Sequence, residues 1–111
     1  MEILMAKPLK LQIVQTAKEL IQDEQHWCRG YLAVDDYGLS VDPAGPDAVK
    51  HCALAALIAA AYRLTNNNVW AHELALNALR PHCGTNTIVL INDQRGHAAV
   101  LALFDEAMAG L

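Results

Sequence analysis

The sequence predicts a mainly helical α+β domain, in which about four helices pack round a central apolar helix and a small β-hairpin follows the first helix. Three observations carry that reading. Apolar residues recur at helical spacing through Ile13, Val14, Ala17, Leu20 and Ile21; an unbroken apolar run extends from Cys52 to Tyr62; and short alternating segments flank Asp35-Asp36-Tyr37-Gly38. A chain of 111 residues is expected to form one compact domain, residues 1–111, and at this size folding hides roughly 65% of the unfolded surface.

The first helix is expected between Lys7 and Glu24. Its apolar stripe is opposed by Lys10, Gln15, Lys18, Glu19 and Gln22, and Pro8 suits a first turn. It should end near His26, where Gly30 can take the left-handed conformation. In the segment that follows, Leu32 and Val34 alternate with Tyr31 and Ala33, Leu39 and Val41 flank Ser40, and the residues between have hairpin-loop composition. Asp42-Pro43-Ala44-Gly45-Pro46 then breaks the chain, and Pro46 with Asp47 suits the start of a second helix, Asp47 to about Leu64. After Lys50 that helix is apolar all round, which marks it as central.

Asn66, Asn67 and Asn68 offer a turn and an N-cap for a third helix, about Val69 to Arg80. On it Trp70, Leu74 and Ala78 share a face that Val69, Leu76 and Leu79 widen. Pro81 and Gly84 end it. The run from Thr87 to Asp93 reads as a strand or an extended connector, and Asn92-Asp93-Gln94-Arg95-Gly96 has turn chemistry. From His97 onward Val100, Leu101, Phe104, Ala107 and Met108 form the stripe of a last helix.

Composition narrows the function classes. Apolar residues make up 54% of the chain and charged residues 18%, against usual values of about 45–50% and about 25%, so a packed core is expected rather than disorder. The longest apolar run is about half of the roughly 20 residues a membrane helix needs. The start carries Glu2 and neither a basic n-region nor a cleavage pattern, so a cytoplasmic location is expected. A net charge of −4 with scattered Lys and Arg leaves no basic stripe for nucleic acid. A protein partner is the expected one.

Cys28, Cys52 and Cys83 cannot all pair within one chain, and free thiols are expected. Cys52 is the candidate nucleophile, served by His26, His82 or His97 as base and by Asp93 as the orienting group. With the second helix starting at Pro46, however, Cys52 falls in its second turn, beyond the reach of the dipole, and His51 points about 100° away. Packing as a small hydrophobe between Val49 and Ala56 is the preferred reading, which weighs against an enzyme. The pairs His26/Cys28, His51/Cys52 and His82/Cys83 carry zinc-type ligands without the spacing of a finger or ribbon, so no metal is expected. No Gly-rich phosphate loop, G-x-S-x-G elbow or H-E-x-x-H helix is present, so no cofactor is expected. Trp27 and Arg29 are candidate anchors for a partner because these types dominate interface hot spots, although Trp27 also suits the core. His51, Asn92, Asp93 and Arg95 complete the candidate binding set, with the Asx pair also able to bond its own turn.

The succession of Val14, Ala17, Leu20 and Ile21, Trp27-Cys28-Arg29-Gly30, the segment from Val41 to Leu57, and that from Ile91 to Ala107 resembles a family of small bacterial and phage proteins classed as a domain of unknown function. The resemblance covers about Ile13 to Ala107. The chain departs from the family pattern at His51 and Ile91, where the family has Trp, and at Ala55, where it has Gly. The resemblance implies a bacterial or phage source and, on that basis alone, an inhibitor of host machinery. The expected function is a non-catalytic binding or regulatory module acting on a protein partner. A thiol enzyme using Cys52 and a metal-stabilised domain are the alternatives.

Overall fold

The computed structural model describes residues 7–66, 69–84 and 87–111. Among these residues five α-helices form the body: α1 (Leu9–Ile21), α2 (Ala53–Thr65), α3 (Val69–Leu79), α4 (Ile88–Arg95) and α5 (His97–Ala109). Two short strands, β1 (Ala33–Val34) and β2 (Lys50–His51), pair antiparallel, Ala33 opposite His51 and Val34 opposite Lys50. The mainly helical α+β class is therefore as the sequence predicts. No helix among the described residues is long and apolar enough to cross a membrane.

Helix α1 presents Ile13, Val14, Ala17 and Ile21 to the core, the stripe its spacing predicts. Its α-helical part stops at Ile21, and a 3-10 turn over Glu24–His26, capped by the Asp23 carboxylate on the Gln25 amide, carries the chain to Trp27. Helix α2 is central as expected and lies against α1, α3 and α4. Its buried face is almost all alanine, Ala53, Ala56, Ala60 and Ala61 with Leu57, and such small side chains let neighbouring backbones approach closely.

Four expectations are corrected. Helix α2 begins at Ala53 rather than Asp47, because Lys50 and His51 are taken up as a strand and Cys52 stays extended as the N-cap. Pro46 and Asp47 lie in the loop before it. The segment from Leu39 to Val41 does turn back on β1, through the Val34–Ser40 bridge and the Val41 amide on the Ala33 carbonyl. Even so, the two-stranded ladder is made with Lys50–His51, which outcompetes it because the packing of α2 brings those residues alongside.

Third, the segment expected as a strand or connector is helix α4, begun by Thr87, whose hydroxyl accepts from the Leu90 amide at 3.2 Å. Asn92 to Arg95 belong to that helix rather than to a turn. Fourth, α3 buries Ala71, Ala75 and Leu79, whereas Trp70 and Leu74 face outward. Asn66 closes α2 in the left-handed conformation, and the expected roles of Asn67 and Asn68 lie outside the described residues. Helix α5 buries Val100, Leu103, Phe104 and Ala107.

Candidate functional site

Three segments distant in sequence meet at Asn92: the junction Trp27–Gly30, the start of α2, and α4. Ile88, Ile91 and Asn92 form the buried side of α4, so a polar side chain is carried into the core, where Asn92 has no exposed surface. Such a group must be fully hydrogen-bonded, and it is. Its Oδ1 accepts from the Trp27 indole Nε1 at 2.7 Å and from the Ala53 amide at 2.9 Å. Its Nδ2 donates to the Cys28 carbonyl at 3.1 Å and to Asp93 Oδ1 at 3.0 Å. The Ala53 amide is one of the donors that the first turn of α2 cannot satisfy within the helix, so Asn92 acts as a cap supplied from another helix.

Asp93 Oδ1 also accepts from the Gly30 amide at 3.1 Å, pinning the loop where Gly30 takes φ +82°. The Arg29 guanidinium lies over the Trp27 ring, 5.1 Å from its centroid, and remains exposed. His97 also packs against Trp27, its ring 5.5 Å from the indole, and its Nε2 donates to the Ile21 carbonyl at 2.6 Å. Trp27 is only 8% exposed, so the indole is occupied inside the protein rather than offered as a surface anchor.

Cys52 sits beside this hub. It lines a cavity of about 170 Å³ with Gly30, Tyr31, Leu32, Val89 and Asp93, a lining without histidine. Its Sγ accepts from the Ala55 amide at 3.4 Å, an interaction that favours the thiolate, but burial outweighs it and pushes the thiol pKa up. The placement at the N-cap is the one from which a helix lowers a thiol pKa, and desolvation wins here. Of the histidines considered as its base, His97 is turned to the Ile21 carbonyl, His82 lies 3.7 Å from Glu106, and His26 is exposed on the 3-10 turn.

His51 is buried, with Nε2 donating to the Pro43 carbonyl at 3.1 Å, and burial lowers its pKa. Arg95 is exposed at the end of α4 and borders a separate shallow cavity with His82 and Glu106. The structure thus joins Trp27, Arg29, Asn92, Asp93 and His97 in one cluster; the His51 backbone pairs with Trp27 while its ring turns away to Pro43, and Arg95 lies apart. Among the described residues, no three His, Cys, Asp or Glu side chains converge as a metal site.

Sequence reasoning missed a set of exposed apolar side chains, of which Tyr31, Leu32 and Val89 border the Cys52 cavity. Tyr31, Leu32, Tyr37 and Leu39 are all exposed, Tyr37 at 88%, and Val89 and Leu90 are exposed on α4. The signal was a tyrosine inside an acidic loop, Asp35-Asp36-Tyr37-Gly38, where no core demands one. Val89 borders both the Cys52 cavity and a second one of about 400 Å³ formed by Leu54, Leu76, Ile88 and their neighbours.

A family model described as "Family of unknown function (DUF6197)" matches residues 5–110. No curated protein and no solved structure matches the chain.

Proposed function

The chain belongs to the DUF6197 family, whose function is unknown, and from its own residues we propose that it is a small binding or regulatory module acting on a protein partner. The observation that carries this reading is the set of large exposed apolar side chains on the segment after Trp27, Tyr31, Leu32, Tyr37 and Leu39, of which Tyr31 and Leu32 share a cavity with Val89 of α4. Clusters of large exposed apolar and aromatic side chains are unusual on a free protein surface and characteristic of protein interfaces. The hydrogen bonds of Asp93 and Asp35 hold the loop that presents them: Asp93 accepts from the Gly30 amide, and Asp35 Oδ1 accepts from the Tyr37 and Leu39 amides at 2.9 Å each. A pre-ordered loop loses less entropy on binding. Arg29, exposed and held over Trp27, supplies a cation near the same junction. The net charge of −4 favours a protein over a nucleic acid as the partner.

The test compares tagged protein with its Tyr37→Ser/Leu39→Ser variant in lysate of the source cell. A partner recovered in stoichiometric amount by the first and lost by the second, with unchanged circular dichroism, supports the reading. Failure of the unaltered protein to retain any stoichiometric partner refutes it.

A further inference from the structure

The parallel bridge between Trp27 and His51, with the Cys28 amide donating to the His51 carbonyl at 3.2 Å, sets two extended segments side by side. One residue further along each segment are Cys28 and Cys52. Parallel neighbours lie about 4.8 Å apart with side chains on the same face, within the roughly 4.4–6.8 Å Cα spacing that a disulfide spans. A shared backbone oxygen ties the Cys28 side chain to the Cys52 backbone. The Cys28 Sγ donates toward the Leu32 carbonyl at 3.8 Å, and the Cys52 amide donates to the same oxygen at 2.8 Å. Cys28 also packs against the small cluster of Ala33, Cys52 and Ala55.

We propose that Cys28 and Cys52 are a dithiol modification site that closes to an intramolecular disulfide when the folded protein meets a hydroperoxide. Cys28 is the half-exposed member and Cys52 the buried one, so the order of events follows from access. The Cys28 sulfur attacks the terminal peroxide oxygen; the O–O bond breaks, the alcohol or water leaves, and a sulfenic acid remains on Cys28. The Cys52 sulfur then attacks the sulfenic sulfur, the S–S bond forms, and hydroxide leaves with the Cys52 proton as water. Two thiols lose two electrons in total, and the hydroperoxide gains them. Cys83, buried where α3 ends and hydrogen-bonded to the Leu79 carbonyl at 3.4 Å, stands outside the pair. Desolvation raises both thiol pKa values, that of Cys28 to about 11, so closure is slow at neutral pH and faster in alkali.

The experiment exposes the folded protein to hydrogen peroxide, blocks remaining thiols with iodoacetamide in denaturant, and digests with trypsin. Cleavage after Lys18, Arg29, Lys50 and Arg63 places Cys28 and Cys52 in separate peptides, 19–29 and 51–63, both distinct from the one holding Cys83. The expected product is a reducible cross-link between 19–29 and 51–63, two hydrogens lighter than the sum, with Cys83 alkylated. Peroxide treatment of unfolded protein, where any pair can form, should yield several-fold less of it. Cys28→Ala should abolish the cross-link, whereas Cys83→Ala should preserve it; the second variant keeps the result readable should the first fail to fold. Oxidation of Cys28 to sulfinic or sulfonic acid without a cross-link, or cross-links to Cys83 or between chains in equal yield, would overturn the proposal.

Discussion

The indole nitrogen of Trp27 donates to the side-chain oxygen of Asn92 at 2.7 Å, across 65 positions of sequence. The same oxygen takes the Ala53 amide at the start of α2, so one asparagine locks the Trp27–Gly30 junction, α2 and α4 to one another. Removing it should therefore loosen three segments together. Asn92→Ala leaves the Trp27 N–H, the Ala53 N–H and the Cys28 carbonyl buried without this partner, and at about 1–3 kcal/mol for each stranded group the loss of stability should be about 3 kcal/mol or more. Urea denaturation followed by fluorescence measures it. Trp27→Phe removes one donor and part of the indole volume, so its cost combines one lost hydrogen bond with a small cavity, while the Ala53 amide and the Cys28 carbonyl keep Asn92 as their partner.

Stability should fall on both sides of neutrality, for different residues. Burial pushes the Cys28 thiol from its ordinary value of 9.0 to about 11. Between those values the unfolded chain has released a proton that the folded protein still holds, so stability falls as pH rises through the window. Burial lowers His51 below its ordinary 6.5. As pH falls below that value the unfolded chain takes up a proton that the folded protein resists, so stability falls again. Denaturation midpoints across this range should flatten on the alkaline arm in Cys28→Ala and on the acid arm in His51→Gln. An unchanged arm in either variant would assign that slope to other groups.

Gly96 separates α4 from α5 at φ +92°, a conformation that side chains rarely adopt, and a Cβ built there lies 3.1 Å from an Arg29 guanidinium nitrogen. Gly96→Ala should destabilise the protein by about 1–3 kcal/mol. The guanidinium is the far end of a flexible side chain and can move aside, so the backbone carries most of the cost. Adding Arg29→Ala should recover little of it, and a full recovery would show that the contact, not the conformation, was responsible.

Not every close contact should matter to that degree. Lys18 and Asp105 join α1 to α5 through a 2.6 Å ion pair on the surface. Exposed pairs contribute about 1 kcal/mol or less, so Asp105→Asn should shift the denaturation midpoint only slightly, and less in high salt. Its neighbour Phe104 is fully buried, and Phe104→Ala should cost about 3–5 kcal/mol. The two variants one residue apart calibrate packing against surface charge in the same helix.

The sequence by itself determined the helical class, the stripe of α1, the central place of α2 and the core face of α5, because periodicity is a property of a single segment. Ile13, Val14, Ala17 and Ile21 are buried for the reason their spacing states. It failed at α4, whose buried positions are Ile88, Ile91 and Asn92. The pattern there is helical, but its last member is polar and looks like a turn residue until its four hydrogen bonds are seen. It failed again on α3, where Trp70 and Leu74 suggested the inner face and Ala71 and Ala75 occupy it, since only a close neighbour such as α2 makes an alanine the better fit. The partner of β1, the capping of Ala53 by Asn92 and the meeting of Cys28 with Cys52 were decided by tertiary structure alone. Each satisfies a group on one segment with a group from a distant one, and only the packing of the helices brings such groups within reach.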